Sequence, residues 1–265
     1  MIFSPTTYEE VQECFRTSGP LSIHSSRQES ADGSDILSLE HFKSILLYEP
    51  EEMIVKVQAG ILLEELNIRL RSEGQWIPTL VAGENSEVTL GAAIANDHYH
   101  PRATALGMLR TTILGGTFAA ADGMLFKSGS RVVKSVAGYD IYRSFCGSQG
   151  KFGAILDVTL KVQPLPEMFL WFQTKRDTLG ELTSFFPTIV ETEPSSIFYE
   201  LAGFREDMEH DTLELSRRGI ITIPEQEARE KIRDIIRRKV VETGEADTPS
   251  LQHVQKIFDP KGVLR

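Results

Sequence analysis

The chain has 265 residues, 41% of them hydrophobic, which is enough for a substantial core in one large domain or two smaller ones. Its formal net charge is −10 at pH 7, so a nucleic-acid groove would have to form against the overall field of the protein. The N-terminus lacks a basic segment followed by an apolar run, and no stretch approaches the roughly eighteen apolar residues of a membrane span, so we expect a cytoplasmic protein without nucleic-acid partners or direct membrane insertion.

Residues 21–60 are predicted to contain short strands, and a helix is predicted to follow them. Three runs separated by polar or Pro-containing turns predict the strands: Leu21–His24, 36–39 and 53–57. Leucines then recur at helical spacing from Leu62 to Leu70, with charged residues between them. This pattern predicts one amphipathic helix that packs on a sheet and ends at Gly74.

The next hundred residues predict a second group of strands. Small residues fill 89–95 and predict a buried helix start in tight contact with a sheet. Strand-like runs at 112–119 and 123–127 are joined by Asp122 and Gly123, a pair typical of a hairpin turn. A long strand is predicted at 152–163, closing this part of the chain at Pro164.

Beyond Pro166 the composition changes, and we predict a small second α+β domain. Its strands are predicted at 168–173, 197–201 and 219–223, and its helices at 179–190 and 224–242. The second helix is dense in both charge signs at helical spacing, which is typical of a solvated face and less often of a partner-docking surface.

Cysteine and histidine positions give no indication of a metal site. Cys14 and Cys146 lie far apart and outside any ligand-like spacing, which argues against a disulfide framework, a zinc site and an iron–sulfur cluster. His98 and His100 would share one face of a strand, but no third ligand cluster accompanies them. We therefore predict no metal, and we assign Cys146 no role.

The most informative stretch is 147–155, where glycines at 147, 150 and 153 lead into the long predicted strand. Without Cβ atoms in the way, backbone N–H groups of such a loop can face a bulky anionic or planar ligand. The spacing is neither a dinucleotide fingerprint nor a Walker loop, so the pattern alone favours a structural turn over a nucleotide site.

Four blocks change this balance when they are taken together and in order: Val57-Gln58-Ala59-Gly60 with 63–66, then 88–92, 133–140 and 147–155. As a set they resemble the FAD-binding domain of the PCMH type in the vanillyl-alcohol-oxidase superfamily, in particular the FAD-binding E subunits of glycolate oxidases and their D-lactate dehydrogenase relatives. The resemblance implies an α+β protein with a two-subdomain FAD-binding domain at 1–165 and a small, reduced α+β cap at 166–243. A weaker similarity at 258–264 implies that 244–265 returns to the FAD domain and that the chain is complete at its C-terminus.

The resemblance also implies FAD as the cofactor and indicates which residues hold it. The cofactor-binding residues that it implies are Ser25, Ser26, Thr89, Leu90, Gly91, Ala92, Ala137, Gly138, Asp140, Gly147, Ser148, Gly150, Gly153 and Ile155. Lys134 and Tyr139 are the catalytic candidates, because a lysine ammonium near the flavin ring could stabilise negative charge on a reduced flavin or a carboxylate substrate. A surface lysine and a packed tyrosine explain these two positions equally well.

The sequence departs from the family pattern at the pyrophosphate loop. Ser25 and Ser26, followed by Arg27, stand where relatives usually carry consecutive glycines, and two Cβ atoms there restrict positive φ angles. An acidic Asp97 near a phosphate would also be unfavourable. We interpret His24 as a strand-end histidine and not as a covalent flavin link.

Two functions follow from the resemblance and its departures. The first is an FAD-linked oxidoreductase subunit that oxidises a small 2-hydroxy acid, of the glycolate or D-lactate type, by hydride transfer to FAD. The second is a non-catalytic or weakly flavin-binding accessory subunit of a glycolate oxidase-like complex, which the short cap favours because a cap usually encloses the substrate. Either subunit would work beside a second flavoprotein subunit and an iron–sulfur subunit, and could reach a membrane through them.

Overall fold

The structure is a computed structural model, and it describes residues 1–18, 21–24, 33–79, 88–98, 100–129, 140–175, 187–192 and 196–243. Within these ranges the chain forms four β-sheets with helices packed against them, which confirms the α+β class. No helix in these ranges is both long enough and apolar enough to cross a membrane. The domain boundary at residue 165 stays a prediction, and the predicted C-terminal segment 244–265 lies outside the described residues.

The chain begins with a small parallel sheet in the order β1, β3, β2, whose strands are β1 Ile2–Phe3, β2 Leu21–His24 and β3 Asp35–Ser38. Helix α1 (Tyr8–Thr17) lies between β1 and β2 and was not predicted. The Thr7 hydroxyl caps it by accepting a hydrogen bond from the N–H of Glu10. Val11 and Phe15, one turn apart, are buried on its inner face, so the helix is held by both a cap and a core contact.

A five-stranded antiparallel sheet forms the centre of the first unit, by which we mean residues 1–164. Its order is β4, β5, β9, β7, β8, with bounds β4 Ile45–Glu49, β5 Ile54–Gln58, β7 Ile113–Ala120, β8 Leu125–Gly129 and β9 Gly153–Lys161. The strands predicted at 53–57, 112–119, 123–127 and 152–163 are confirmed apart from their ends. Strand β9 is buried from Gly153 to Leu160, because β5 and β7 flank it and both faces of the sheet are covered.

Helix α2 (Leu63–Arg71) covers one face of this sheet, as the leucine spacing predicted. Leu63, Leu66 and Leu70 are buried, and the Asn67 side chain exchanges two hydrogen bonds, of 2.8 and 3.1 Å, with the backbone of Ile77. These bonds tie the helix to the chain that follows it. The other short elements of the first unit are β6 Gln75–Trp76, α3 Leu90–Ala95, α4 Ala103–Leu106, α5 Leu109–Thr112, α6 Tyr142–Phe145 and β10 Gln163–Pro164.

The second unit, residues 168–243, contains a three-stranded antiparallel sheet in the order β11, β13, β12. Its strands are β11 Met168–Lys175, β12 Ile189–Thr192 and β13 Ser196–Gly203. Helix α7 (Arg205–Arg217) packs on one face through Met208 and Leu215, and helix α8 (Glu225–Thr243) packs on the other through Ala228, Ile232 and Ile235.

Three predictions for the second unit need correction. The helix predicted at 179–190 is wrong at its end, where β12 begins, and 176–186 lie outside the described residues. Helix α7 was not predicted, because its mean hydropathy is low and only two of its side chains are buried. At 219–223 the described chain makes a single bridge, from Thr222 to Phe172, instead of a strand.

Candidate cofactor site

A cavity of about 240 Å³ lies where β2, the turn after β5, helix α3 and the start of β9 meet. Small residues dominate its wall, and the full lining consists of Ile23, His24, Leu39, Ala59, Gly60, Thr89, Gly91, Ala92, Ala95, Asn96, Gln149, Gly150, Gly153 and Ile155. The polar side chains of this lining are those of His24, Thr89, Asn96 and Gln149. The arrangement offers a shaped, small-residue surface to a ligand.

Six of the residues assigned to the cofactor line this cavity: Thr89, Gly91, Ala92, Gly150, Gly153 and Ile155. Others lie elsewhere: Leu90 belongs to the hydrophobic core, Ser148 is buried, and Asp140 is exposed and paired with Arg143. Gly147 lies beside Asp97. Ser25, Ser26, Lys134, Ala137, Gly138 and Tyr139 lie outside the described residues, so their assigned roles stay predictions.

Several lining residues were not singled out from the sequence. Ala59 and Gly60 belong to the first of the four similar blocks, so the sequence similarity could have identified them. Gln149 belongs to the fourth block in the same way, whereas Leu39 lies in none of the blocks, because its place in the wall depends on how the chain after β3 packs.

Helix α3 approaches the cavity with its first N–H groups already used inside the protein. The N–H of Leu90 donates to Ile61 at 2.9 Å, and that of Gly91 donates to the Ala59 carbonyl at 2.7 Å. The N–H of Ala92 donates to the Thr89 hydroxyl at 3.3 Å. This wall therefore contributes its shape, and among the described residues the Thr89 hydroxyl keeps a proton to donate.

Close packing explains why small residues occupy this wall. A Cβ at Gly91 would lie 3.0 Å from both the Cβ and the carbonyl oxygen of Ala59, which is tighter than ordinary van der Waals contact. Gly150 has φ +78°, a conformation that side chains other than glycine adopt at a strain, and a Cβ there would lie 3.7 Å from Ile23. The wall is therefore a cradle that larger side chains would fill, and its size suits one planar part of a larger cofactor.

The glycine-rich loop before β9 is attached to the end of α3. The N–H of Gly147 donates to Ile94 at 3.0 Å, and the N–H of Gln149 donates to Ala95 at 2.8 Å. Because these two bonds hold the loop against the helix, the positions of Gln149 and Gly150 in the cavity depend on where α3 ends.

Asp97 follows α3 in a left-handed conformation, with φ +46°. Its carboxylate forms an ion pair with Arg110, whose Nε donates to Oδ1 at 2.9 Å. We expected the negative charge of Asp97 to be unfavourable near a phosphate. The Arg110 guanidinium compensates this charge.

His100 is almost completely buried, with 1% of its surface exposed, and neither ring nitrogen has a hydrogen-bond partner among the described residues. Burial and the positive charge of Arg102 lower the pKa of His100 to about 4, against a smaller opposite effect of the Gly107 backbone. The imidazole is uncharged at neutral pH. In the described part of the chain, no three His, Cys, Asp or Glu side chains come together as a possible metal site.

We expect stability to fall as the pH drops from about 6.5 to about 4, because unfolded His100 binds a proton that the folded chain excludes. The loss should approach about 3 kcal/mol for this group alone. Urea unfolding at pH 7 and pH 4.5 measures it. His100→Leu should lose less stability on acidification than the parent. The control His210→Leu, at an exposed position on α7, should lose as much stability as the parent. Equal acid sensitivity of His100→Leu and the parent would contradict this account.

Comparisons with known proteins show what the sequence and the fold are similar to. Residues 1–129 match the family described as FAD binding domain. The chain is 28% identical over 172 residues to glycolate oxidase subunit GlcE of Escherichia coli, covering 63% of this chain and 49% of that protein. It is 30% identical over 161 residues to a D-lactate dehydrogenase of Anaerostipes hadrus, covering 59% and 34%. The fold is similar to that of alkyldihydroxyacetonephosphate synthase, with TM-score 0.66 and 15% identity, covering 89% of this chain and 54% of that one.

The sequence match and the fold together define the class of protein that the chain is similar to: residues 1–129 are similar to FAD-binding domains, and the fold is similar to that of the synthase. Within that class its curated relatives include glycolate oxidase subunits and D-lactate dehydrogenases, as the four sequence blocks indicated. FAD is the cofactor of the matched domain. The chain spans about half the length of GlcE and about a third of the length of the bacterial D-lactate dehydrogenase.

Proposed function

We propose that this chain binds FAD in the cavity described above and acts as an FAD-linked oxidoreductase subunit for a small 2-hydroxy acid of the glycolate or D-lactate type. The observation that supports the proposal best is the meeting of α3 and the glycine-rich loop at one small-residue cavity, where both contribute wall residues. The names of the curated relatives supply the substrate class.

In this proposal the chain's residues bind and orient, and FAD supplies the hydride acceptor. Gly91, Ala92 and Gly150 hold the cofactor by shape, and the Thr89 hydroxyl offers a hydrogen bond. The substrate carbon that bears the hydroxyl would pass its hydride to FAD and the hydroxyl proton would pass to solvent, which leaves a 2-oxo acid. We assign Lys134 to the substrate carboxylate or the reduced ring and Tyr139 to the ring edge.

The second candidate is an accessory subunit that keeps the fold but binds flavin weakly or not at all. It is favoured by the second unit, which offers only a three-stranded sheet and two helices in the described ranges as a cover for a substrate. It is also favoured by the internal use of the N–H groups at the start of α3. In this case the catalytic flavin and the iron–sulfur centre would belong to partner subunits.

The visible absorption spectrum of the purified protein, with and without added FAD, separates the two candidates. A flavin band that is released on unfolding supports the first, and anaerobic addition of glycolate or D-lactate should then bleach the band. Protein that neither carries nor takes up FAD contradicts the first candidate and leaves the accessory subunit.

Gly150→Asp should abolish FAD binding, because it places a carboxylate on the wall of the cavity. Gly150→Ala is the matched control, since it carries the same strain at φ +78° without the charge. We expect the alanine variant to keep most of its affinity and the aspartate variant to lose at least about 100-fold, or about 2.7 kcal/mol. Titration of each variant with FAD, followed by the flavin emission, measures both. Equal affinities would place the cofactor elsewhere.

A further inference from the structure

A buried ion pair joins the two units at a point away from the cavity. Arg102, at the start of α4, donates from Nε to Glu200 Oε1 at 2.6 Å and from Nη2 to Oε2 at 2.7 Å. Glu200 lies on β13 of the second unit. The side chains are 6% and 0% exposed, so both charges are withdrawn from water.

The Glu200 carboxylate accepts two further hydrogen bonds. Trp171 on β11 donates its indole N–H to Glu200 Oε2 at 2.8 Å, and the Thr188 hydroxyl donates to Oε1 at 2.7 Å. The guanidinium carbon lies 4.8 Å from the ring centre of Trp76 and 5.1 Å from that of Phe169. We call Arg102 and Glu200, with these four contacting side chains, the clamp.

A buried ion pair of this kind fixes the positions of its residues more than it raises the free energy of unfolding. Removing two charges from water costs several kcal/mol, and their attraction offsets this cost only when the hydrogen bonds are well aligned. A protein with apolar residues of similar size in place of the pair is often equally stable. The bidentate pair, by contrast, fixes both the distance and the plane of the guanidinium. Its specific effect is therefore to fix where Arg102 lies relative to the second unit.

The position of Arg102 bears on the cavity through a short connection. Only five residues separate it from Asn96, the lining residue that follows α3. The end of α3 in turn accepts the hydrogen bonds from Gly147 and Gln149 that hold the glycine-rich loop. A displacement of Arg102 would therefore be transmitted to the wall formed by Asn96, Gln149 and Gly150.

We infer that Glu200 is a positioning residue for the cofactor cavity, acting through Arg102 and the end of α3 from the opposite unit of the chain. The inference rests on the proposed function for the identity of the ligand, FAD, but the positioning of the wall is a property of the protein without cofactor. The second unit, on this account, sets the shape of the cavity in addition to any covering role.

The test compares Glu200→Gln with a double variant, Arg102→Met with Glu200→Leu, which replaces the pair by packing. Glu225→Gln removes an exposed carboxylate from the same unit and is the control. Urea unfolding first establishes that the double variant is at least as stable as Glu200→Gln. An effect that both variants share is then caused by the loss of the clamp and not by a loss of stability.

The cofactor-free readout is the rate at which Cys146 reacts with a thiol reagent at a pH of about 8.5, with Cys14 on α1 as the internal reference. Cys146 is partly buried between α6 and Gly147. In both variants it should react at least about fivefold faster while Cys14 is unchanged, since a local opening that is easier by about 1 kcal/mol has this effect. An equal acceleration of both thiols, or a rate in the double variant like that of the parent, would overturn the inference.

The second readout is FAD affinity, which should fall about tenfold in both variants and stay unchanged in Glu225→Gln. Parent affinity in the double variant would mean that packing alone shapes the cavity, and the inference would be wrong. If the parent chain takes up no FAD, the proposed function fails, but the Cys146 comparison still decides whether Glu200 positions the wall.

Discussion

Arg102→Met should lower the free energy of unfolding by about 3–5 kcal/mol, because it leaves a completely buried carboxylate without its cation. The hydrogen bonds from Trp171 and Thr188 remain, but they do not replace a charge. The methionine also loses the cation–π contacts with Trp76 and Phe169. Urea unfolding followed by far-UV circular dichroism measures the loss.

Arg229→Met provides the matched control for this prediction. Arg229 pairs with Glu225 one turn away on α8, and both side chains are more than half exposed. Such pairs contribute about 0.3–0.5 kcal/mol, so the control should unfold close to the parent. Similar losses in Arg102→Met and Arg229→Met would show that the buried pair has no special energetic role.

Gly153→Ala should destabilise the protein by several kcal/mol, enough to reduce the yield of folded protein sharply. Gly153 begins β9 with φ +138°, and a Cβ there would overlap the carbonyl oxygen of Ala119 on β7. Neither strand can move away without breaking the pairing of β7 with β9 at the centre of the sheet. Expression level and thermal unfolding of the variant measure the effect.

Gly219→Ala separates the effect of backbone conformation from that of steric overlap. Gly219 also has a positive φ, +71°, but a Cβ there meets nothing within 4 Å. The substitution should cost about 1–2 kcal/mol, the strain of a left-handed conformation alone. If Gly153→Ala is no worse than Gly219→Ala, the close approach of β7 and β9 is not what requires glycine at this position.

Local sequence patterns predicted helix α2 and four of the five strands of the central sheet in the first unit. Leucine spacing identified α2, and the pair Asp122 and Gly123 identified the turn between β7 and β8, because both patterns act over a few residues. Helix α1 was missed although Thr7 is a typical N-cap residue, since only two of its ten side chains are buried. In the second unit, α7 was missed for the same reason, and β12 lies at the end of a predicted helix because short strands carry little periodic signal.

The candidate site was likewise predicted only in part. The similar blocks indicated that α3 and the glycine-rich loop belong to one cofactor site, and six of the assigned residues line the same cavity. The blocks did not indicate that Leu90 lies in the hydrophobic core or that Ser148 is buried outside the lining. Which side of a short helix or loop faces a ligand depends on its neighbours, here β5 and β9, and a single sequence does not contain that information.

The sequence by itself predicted the α+β class, FAD as the cofactor and the positions of the main strands along the chain, because family blocks and hydrophobic periodicity are properties of local runs of residues. Only the tertiary structure decided that Arg102 meets Glu200, 98 residues away, and that the N–H groups of α3 are already used. Partners at that distance along the chain leave no local pattern, since their contact depends on how the second unit packs against the first.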